Sequence, residues 1–171
     1  MKLFITSIIT AFALVLSARA DDVTAKISNV HLCCDKCVKG VDTALTSVPG
    51  VKATCDKDAS TVQLTGADKA TVQKAADALV AAGYFGTSDD VKLEAATGAK
   101  GEKVQTLKVS GVHLCCAKCV KAVDKAIKSV PGVTGQTATK GAESFDVTGD
   151  FNDQEVFAAL QKAGLTGKAA K

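Results

Sequence analysis

The stretch "VHLCCDKCVK" (30–39) places three cysteines within five positions behind a histidine, and "VHLCCAKCVK" (112–121) repeats it. Cys34 and Cys37 are three positions apart, as are Cys116 and Cys119. Where that spacing opens a helix, both sulfurs of a pair project from one side of the first turn. The unpaired N–H groups and the positive dipole end found there favour thiolate over thiol. Lys36 and Lys39, and likewise Lys118 and Lys121, add positive charge close by in sequence. Two converging thiolates form a soft donor pair suited to Cu(I), and also to Zn(II) or Hg(II). A closed structural zinc centre takes four ligands, commonly from two such pairs close in sequence. Here the pairs lie 82 residues apart. Each loop therefore reads as an incomplete, accessible site of its own.

The remaining chemistry-bearing residues carry weaker signals. Cys33 and Cys115 could each supply a third thiolate, but neighbours in an extended chain point opposite ways. The sequence thus makes them optional ligands. His31 and His113 alternate with apolar Val30, Leu32, Val112 and Leu114, and read as exposed polar residues rather than ligands. Cys55 alternates with Val51 and Ala53 and reads as a small core residue. A Cys34–Cys37 disulfide is the competing resting state if the chain meets an oxidising compartment.

The elements that must hold these cysteines follow from periodicity. Residues 30–51 and 112–133 align without a gap and agree at 17 of 22 positions. "AKISNV" and "QTLKVSGV" read as strands entering the loops. Val38, Val41, Leu45 and Val48 recur at helical spacing after the first loop, and Val120, Val123, Ile127 and Val130 after the second. Val48-Pro49-Gly50 and Val130-Pro131-Gly132 stop those helices. Val51, Ala53 and Cys55 alternate as a strand, and Val62 with Leu64 as the next; Phe145 and Val147 stand for the latter pair in the second copy.

A second helix begins near Asp68 with Val72, Ala75, Ala76 and Leu79 on one face. Its twin begins at Asn152, with Glu155 as a capping-box partner, and carries Val156, Ala159, Leu160 and Ala163. Gly83 and Gly164 suit the left-handed residue past a helix end. The order is β-α-β-β-α in each copy, with a last strand that is short in copy one and barely present in copy two. An open-faced sheet with two helices on one side fits that order. The polar, aperiodic stretch between the copies reads as a flexible linker whose ends lie roughly 20–25 Å apart.

The first 20 residues have the pattern of a secretory signal peptide. Lys2 precedes a 14-residue apolar run, Leu3 to Leu16, and Ala18-Arg19-Ala20 offers a cleavage site. As a helix that run spans about 21 Å, short of the roughly 30 Å hydrocarbon core. Cleavage after Ala20 would leave 151 residues, and loss of Lys2 and Arg19 would lower the net charge from +3 to +1. A chain that neutral, with no Trp, one Tyr and six Phe, argues against a nucleic-acid or anionic-membrane partner. The expected division is a signal peptide at 1–20, domains at 23–87 and 104–168, and a linker at 88–103, in a periplasmic or secreted protein with no membrane contact after cleavage.

The loops and what surrounds them resemble the heavy-metal-associated domain family, the modules of copper chaperones, metal-pump N-termini and mercury-binding periplasmic proteins. The family's M-x-C-x-x-C falls on Leu32-Cys33-Cys34-Asp35-Lys36-Cys37 and on Leu114-Cys115-Cys116-Ala117-Lys118-Cys119. The resemblance covers both copies. It implies an α+β protein of two tandem ferredoxin-like βαββαβ domains, the last strand short or incomplete. It also implies metal ligands at Cys34, Cys37, Cys116 and Cys119, with Cys33 and Cys115 as additional candidates. Leucine at 32 and 114 replaces the family's methionine and can fill the same buried spot. Tyr84 lies where bacterial members often carry a tyrosine beside the metal loop, whereas its twin is Leu165.

The expected function is that of a non-catalytic metal-binding protein in trafficking or sequestration. Copper(I) is the leading ion, with mercury(II) and zinc(II) as alternatives. Metal would pass to another metal-handling protein by stepwise thiolate exchange through a shared three-sulfur intermediate. A thiol–disulfide oxidoreductase is the competing reading, since CxxC at a helix start also describes that chemistry. Against it, no aromatic directly precedes Cys34, and both prolines are used in stopping helices. A disulfide-stabilised structural module is a third reading, disfavoured by the odd count of seven cysteines. On the sequence, the two sites bind independently, because nothing in the residues between them holds the loops together.

Overall fold

A computed structural model describes residues 22–170, so the signal peptide expected at 1–20 lies outside the described residues. Among those residues, no helix is long and apolar enough to cross a membrane. Among the described residues the fold is α+β, with two antiparallel sheets and four helices. The first half contains β1 (Val23–Ile27), α1 (Asp35–Leu45), β2 (Lys52–Asp56), β3 (Thr61–Gly66) and α2 (Lys69–Ala81). The second contains β4 (Lys103–Ser110), α3 (Ala117–Lys128), β5 (Val133–Gln136), β6 (Ser144–Asn152), α4 (Asp153–Lys162) and β7 (Lys168–Ala169).

The sheets run β1-β3-β2 and β5-β6-β4-β7, so the second half has the full strand order of a ferredoxin-like sheet. In register, Ala25 faces Leu64 and Ile27 faces Val62, which puts the apolar side of β1 and β3 under the helices. Leu107 opposite Val147 and Val109 opposite Phe145 do the same in the second half. The core-facing residues of α2 are Val72, Ala75, Ala76 and Leu79, as the spacing requires. Asp68 caps that helix by accepting the Thr71 N–H at 2.7 Å.

Three departures from the expectation have physical causes. The buried face of α1 is Cys37, Val41 and Leu45, and that of α3 includes Cys119, Val123 and Ile127; Val38 and Val120 sit at its margin. One thiol of each pair thus belongs to the core as well as to the loop. The closing strand is better formed in the second half than in the first, where only an isolated Ser28–Thr87 bridge remains. Asp90 accepts the Lys26 N–H at 3.0 Å, so a side chain takes the edge position that a continued strand would fill.

The third departure concerns the segment between the halves. It has almost no regular structure, as expected, yet it is docked on both halves. Val91 is buried, and the Gln73 side chain brackets Lys92 through its N–H at 2.9 Å and its carbonyl at 2.7 Å. Asp153, buried in the first turn of α4, accepts the N–H groups of Lys100, Gly101 and Glu102 at 2.8–3.0 Å. Thr97 accepts the Ala169 N–H at 2.7 Å.

The halves also meet directly. Tyr84 and Leu165 form an antiparallel bridge, the Thr166 N–H reaches the Gly83 carbonyl at 3.0 Å, and the Gly164 carbonyl accepts from His31 and Phe85 at 3.2 Å. Gly83 (φ 88°) presses on the backbone of Gly111 to His113, and Gly164 (φ 76°) on that of Asn29 to His31. Reciprocal contacts of this kind define a two-fold relation between the copies.

Candidate metal centre

Each loop leaves its strand with two residues buried and the histidine between them turned aside. Val30 and Leu32 are 2% and 4% exposed, and Leu114 is 4%. The leucines therefore fill a buried spot under the loop. Cys34 and Cys116 then take the N-cap positions of α1 and α3 in extended backbone (φ −167° and −155°), with no side-chain cap bond. Their sulfurs sit at the positive ends of two helices. Cys37 and Cys119 follow in the first turns and are completely buried.

The two-fold relation brings the helix starts together, and all six loop sulfurs meet. Cys33 Sγ lies 3.4 Å from Cys116 Sγ and 3.6 Å from both Cys37 and Cys119. Cys34 lies 3.9 Å from Cys115 and 3.8 Å from Cys116. Cys37 lies 3.6 Å from Cys115 and 4.0 Å from Cys119. Cys119 lies 3.6 Å from Cys115 and 3.7 Å from Cys116. The sulfurs of Cys33, Cys34 and Cys37 lie within 4.8 Å of one another, as do those of Cys34, Cys115 and Cys116. The expectation of two separate loops fails here, because the packing of Gly83 on Gly111 to His113 and of Gly164 on Asn29 to His31 holds them face to face.

Cys33 and Cys115 point into this cluster. The alternation argument that made them optional holds for a straight strand. The chain instead turns at the helix start, which carries three successive thiols to the same place. All seven cysteines are free thiols. Cys55 on β2 packs partly buried against the core, as a small apolar residue would, and makes none of the sulfur contacts above.

Both histidines flank the cluster rather than facing solvent. His31 lies within 4.8 Å of the Cys33 and Cys119 sulfurs, and His113 within 4.8 Å of those of Cys37 and Cys115. Burial lowers the His31 pKa, and its Nε2 is buried with no hydrogen-bond partner. His113 is held differently. Tyr84, buried in the first half, donates its hydroxyl proton to the Cys37 carbonyl at 2.7 Å and meets His113 Nε2 at 3.1 Å, which leaves that nitrogen as the donor. The two rings lie 4.7 Å apart. Leu165 cannot repeat this for His31.

Charge is unevenly shared among the sulfurs. The Cys119 thiol donating to Cys37 holds Cys37 far below the usual thiol range against the opposing effect of burial. Donating to Cys37 pushes Cys119 up, with burial adding to the shift. The Cys119 backbone N–H at the start of α3 brings Cys116 down to about 6. Burial raises Cys33, and raises Cys115 to about 12. The six sulfurs thus differ in how readily they give up their protons. Six thiols and two imidazoles make a donor set suited to soft metal ions.

Gly40 shows how tightly the first half is built around this arrangement. A Cβ there would overlap Tyr84 Oη and come within 2.8 Å of His113 Cε1, whereas the second copy carries Ala122 with no tyrosine above it. Gly40→Ala gains about 1 kcal/mol of helix propensity but overpacks by about 1–3 kcal/mol. We expect it to lower the denaturant midpoint and to change the near-ultraviolet signal of Tyr84, while Ala122→Gly shows only the propensity loss.

No family model matches the chain, and no curated protein matches it. Among solved structures, the N-terminal domain of PacS from Synechocystis PCC6803 is 26% identical, covers 40% of this chain and all of its own, and gives a TM-score of 0.36. A copper-binding domain from HMA7, a P-type ATPase, is 21% identical over 40% of this chain and 96% of its own, with a TM-score of 0.37. The N-terminal soluble domains of Bacillus subtilis CopA are 15% identical over 88% of this chain and 95% of theirs, with a TM-score of 0.34. At these TM-scores the superpositions add nothing to the element and sheet orders described above.

Proposed function

We propose that this chain is an exported, non-catalytic protein that binds a soft metal ion, Cu(I) foremost, in metal trafficking or sequestration. The observation that carries the reading is the convergence of six free loop thiols at the N-terminal ends of α1 and α3. Thiolates select Cu(I), and the helix ends lower the cost of forming them. Burial of Cys37 and Cys119 favours sequestration, since a partner's thiolate would reach the outer cysteines first. Release to another metal-handling protein by thiolate exchange would then begin at Cys34 or Cys116. The signal-peptide pattern of residues 1–20 supports a periplasmic or secreted location.

The test is an anaerobic competition of the reduced chain against a chelator, run separately for Cu(I), Zn(II) and Hg(II). Cu(I) should stay on the protein at chelator concentrations that strip Zn(II). Loss of all Cu(I) to the chelator, with seven free thiols verified by assay, sinks the metal reading. Robust turnover of a disulfide substrate by the metal-free protein would put the oxidoreductase in its place.

A further inference from the structure

The sulfur distances contain more order than a loose cluster requires. Twelve of the fifteen pairs of loop sulfurs lie within 4.8 Å, and the other three, Cys33 with Cys115, Cys34 with Cys119 and Cys37 with Cys116, form no sulfur–sulfur hydrogen bond. Each sulfur thus has four neighbours and one opposite partner. That is the connectivity of an octahedron, with one corner triangle from each half lying on opposite faces.

We infer that the six sulfurs form a single cage that takes four Cu(I) ions, each on a triangular face of three thiolates; this rests on the soft-metal reading above. Three-coordinate Cu(I) needs a triangle of sulfurs, and a metal–thiolate bond of about 2.3 Å at its centre separates them by about 4.0 Å. The face Cys37–Cys115–Cys119 has sides of 3.6, 4.0 and 3.6 Å, and Cys33–Cys116–Cys119 has sides of 3.4, 3.6 and 3.7 Å. These need to open by only a few tenths of an ångström.

Four is the limit set by repulsion. At these edge lengths the centres of two faces sharing an edge lie less than about 2 Å apart, too close for two cations. Ions must therefore occupy alternate faces, of which an octahedron has four. One such set is Cys33–Cys34–Cys37, Cys33–Cys116–Cys119, Cys34–Cys115–Cys116 and Cys37–Cys115–Cys119. Every sulfur then bridges two ions, and three of the four faces draw on both halves. Each thiol surrenders its proton as it becomes a ligand. Six thiolates and four Cu(I) leave two negative charges, which face the positive ends of α1 and α3. His31 and His113 stand outside the Cys33–Cys119 and Cys37–Cys115 edges, where their bulk limits access to the cage.

The test is anaerobic titration of the reduced full chain with Cu(I), followed by native mass spectrometry and copper K-edge absorption. We expect a four-copper species to dominate from the first additions, with three sulfurs around each copper and a short copper–copper path. Cys115→Ser removes a corner that independent two-cysteine sites would not use. It should abolish the four-copper species and lower capacity about twofold, since that corner serves two faces. Saturation at two Cu(I) with no copper–copper path, or a four-copper species unchanged in Cys115→Ser, overturns the cage while leaving soft-metal binding intact. Failure to retain any Cu(I) overturns both.

Discussion

The Cys34→Ser/Cys37→Ser double variant is expected to lose about three quarters of its copper capacity, more than the first loop's own share. Of the four alternate faces that include Cys33–Cys116–Cys119, only that face uses neither residue, so capacity should fall about fourfold rather than by half. Both lost sulfurs lie against the second loop, Cys34 at 3.8 Å from Cys116 and Cys37 at 3.6 Å from Cys115. Counting copper per chain by native mass spectrometry, with folding verified by circular dichroism, gives the answer. A loss of half the metal, with Cys116 and Cys119 binding as before, would restore the independent sites that the sequence alone suggested.

The second large effect is expected from residues that carry no sulfur. Gly164→Ala would place a Cβ against the Asn29 carbonyl and 2.5 Å from the His31 nitrogen, and Gly83→Ala would press on Gly111 and come within 2.7 Å of the His113 nitrogen. Both positions also have positive φ, which costs alanine about 1–2 kcal/mol before any overlap. The neighbouring atoms are backbone and belong to the other half, so the strain is relieved by separating the halves. Each half keeps its own sheet and helices. We expect the Gly83→Ala/Gly164→Ala variant to be more extended in X-ray scattering and to lose the four-copper species, with all seven thiols present. A compact variant with full copper capacity would mean that the cage does not depend on this contact.

Much of the architecture was legible because it is written in long periodic signals. The α2 face of Val72, Ala75, Ala76 and Leu79 repeats over three turns, and Asp68 marks its start. The duplicated loop gave the helix starts and the paired thiols. What joins the halves could not be read in the same way. The Tyr84–Leu165 bridge involves short segments with no period, and its copies, Gly83-Tyr84-Phe85-Gly86 and Gly164-Leu165-Thr166-Gly167, share only their glycines. Those glycines were readable as helix ends, which they are, but a helix end does not announce what its carbonyl will meet. Composition likewise hid the docking of residues 88–103, since an aspartate such as Asp153 looks the same whether it faces solvent or collects three backbone N–H groups. The histidines were misjudged by assuming that a strand has one wet side, when the other half covers it.

The docked segment between the halves has a thermodynamic consequence. Two separate domains would have to find one another at cellular concentration before six sulfurs could converge. Here the partner is always present, at an effective concentration that for short tethers reaches the millimolar range. Asp153 and Gln73 raise it further by fixing the path between the halves instead of leaving it to wander. Convergence of the six sulfurs is then a unimolecular event whose extent does not change on dilution of the protein. Dilution of the protein therefore leaves the six sulfurs gathered, and occupancy depends on the free copper alone.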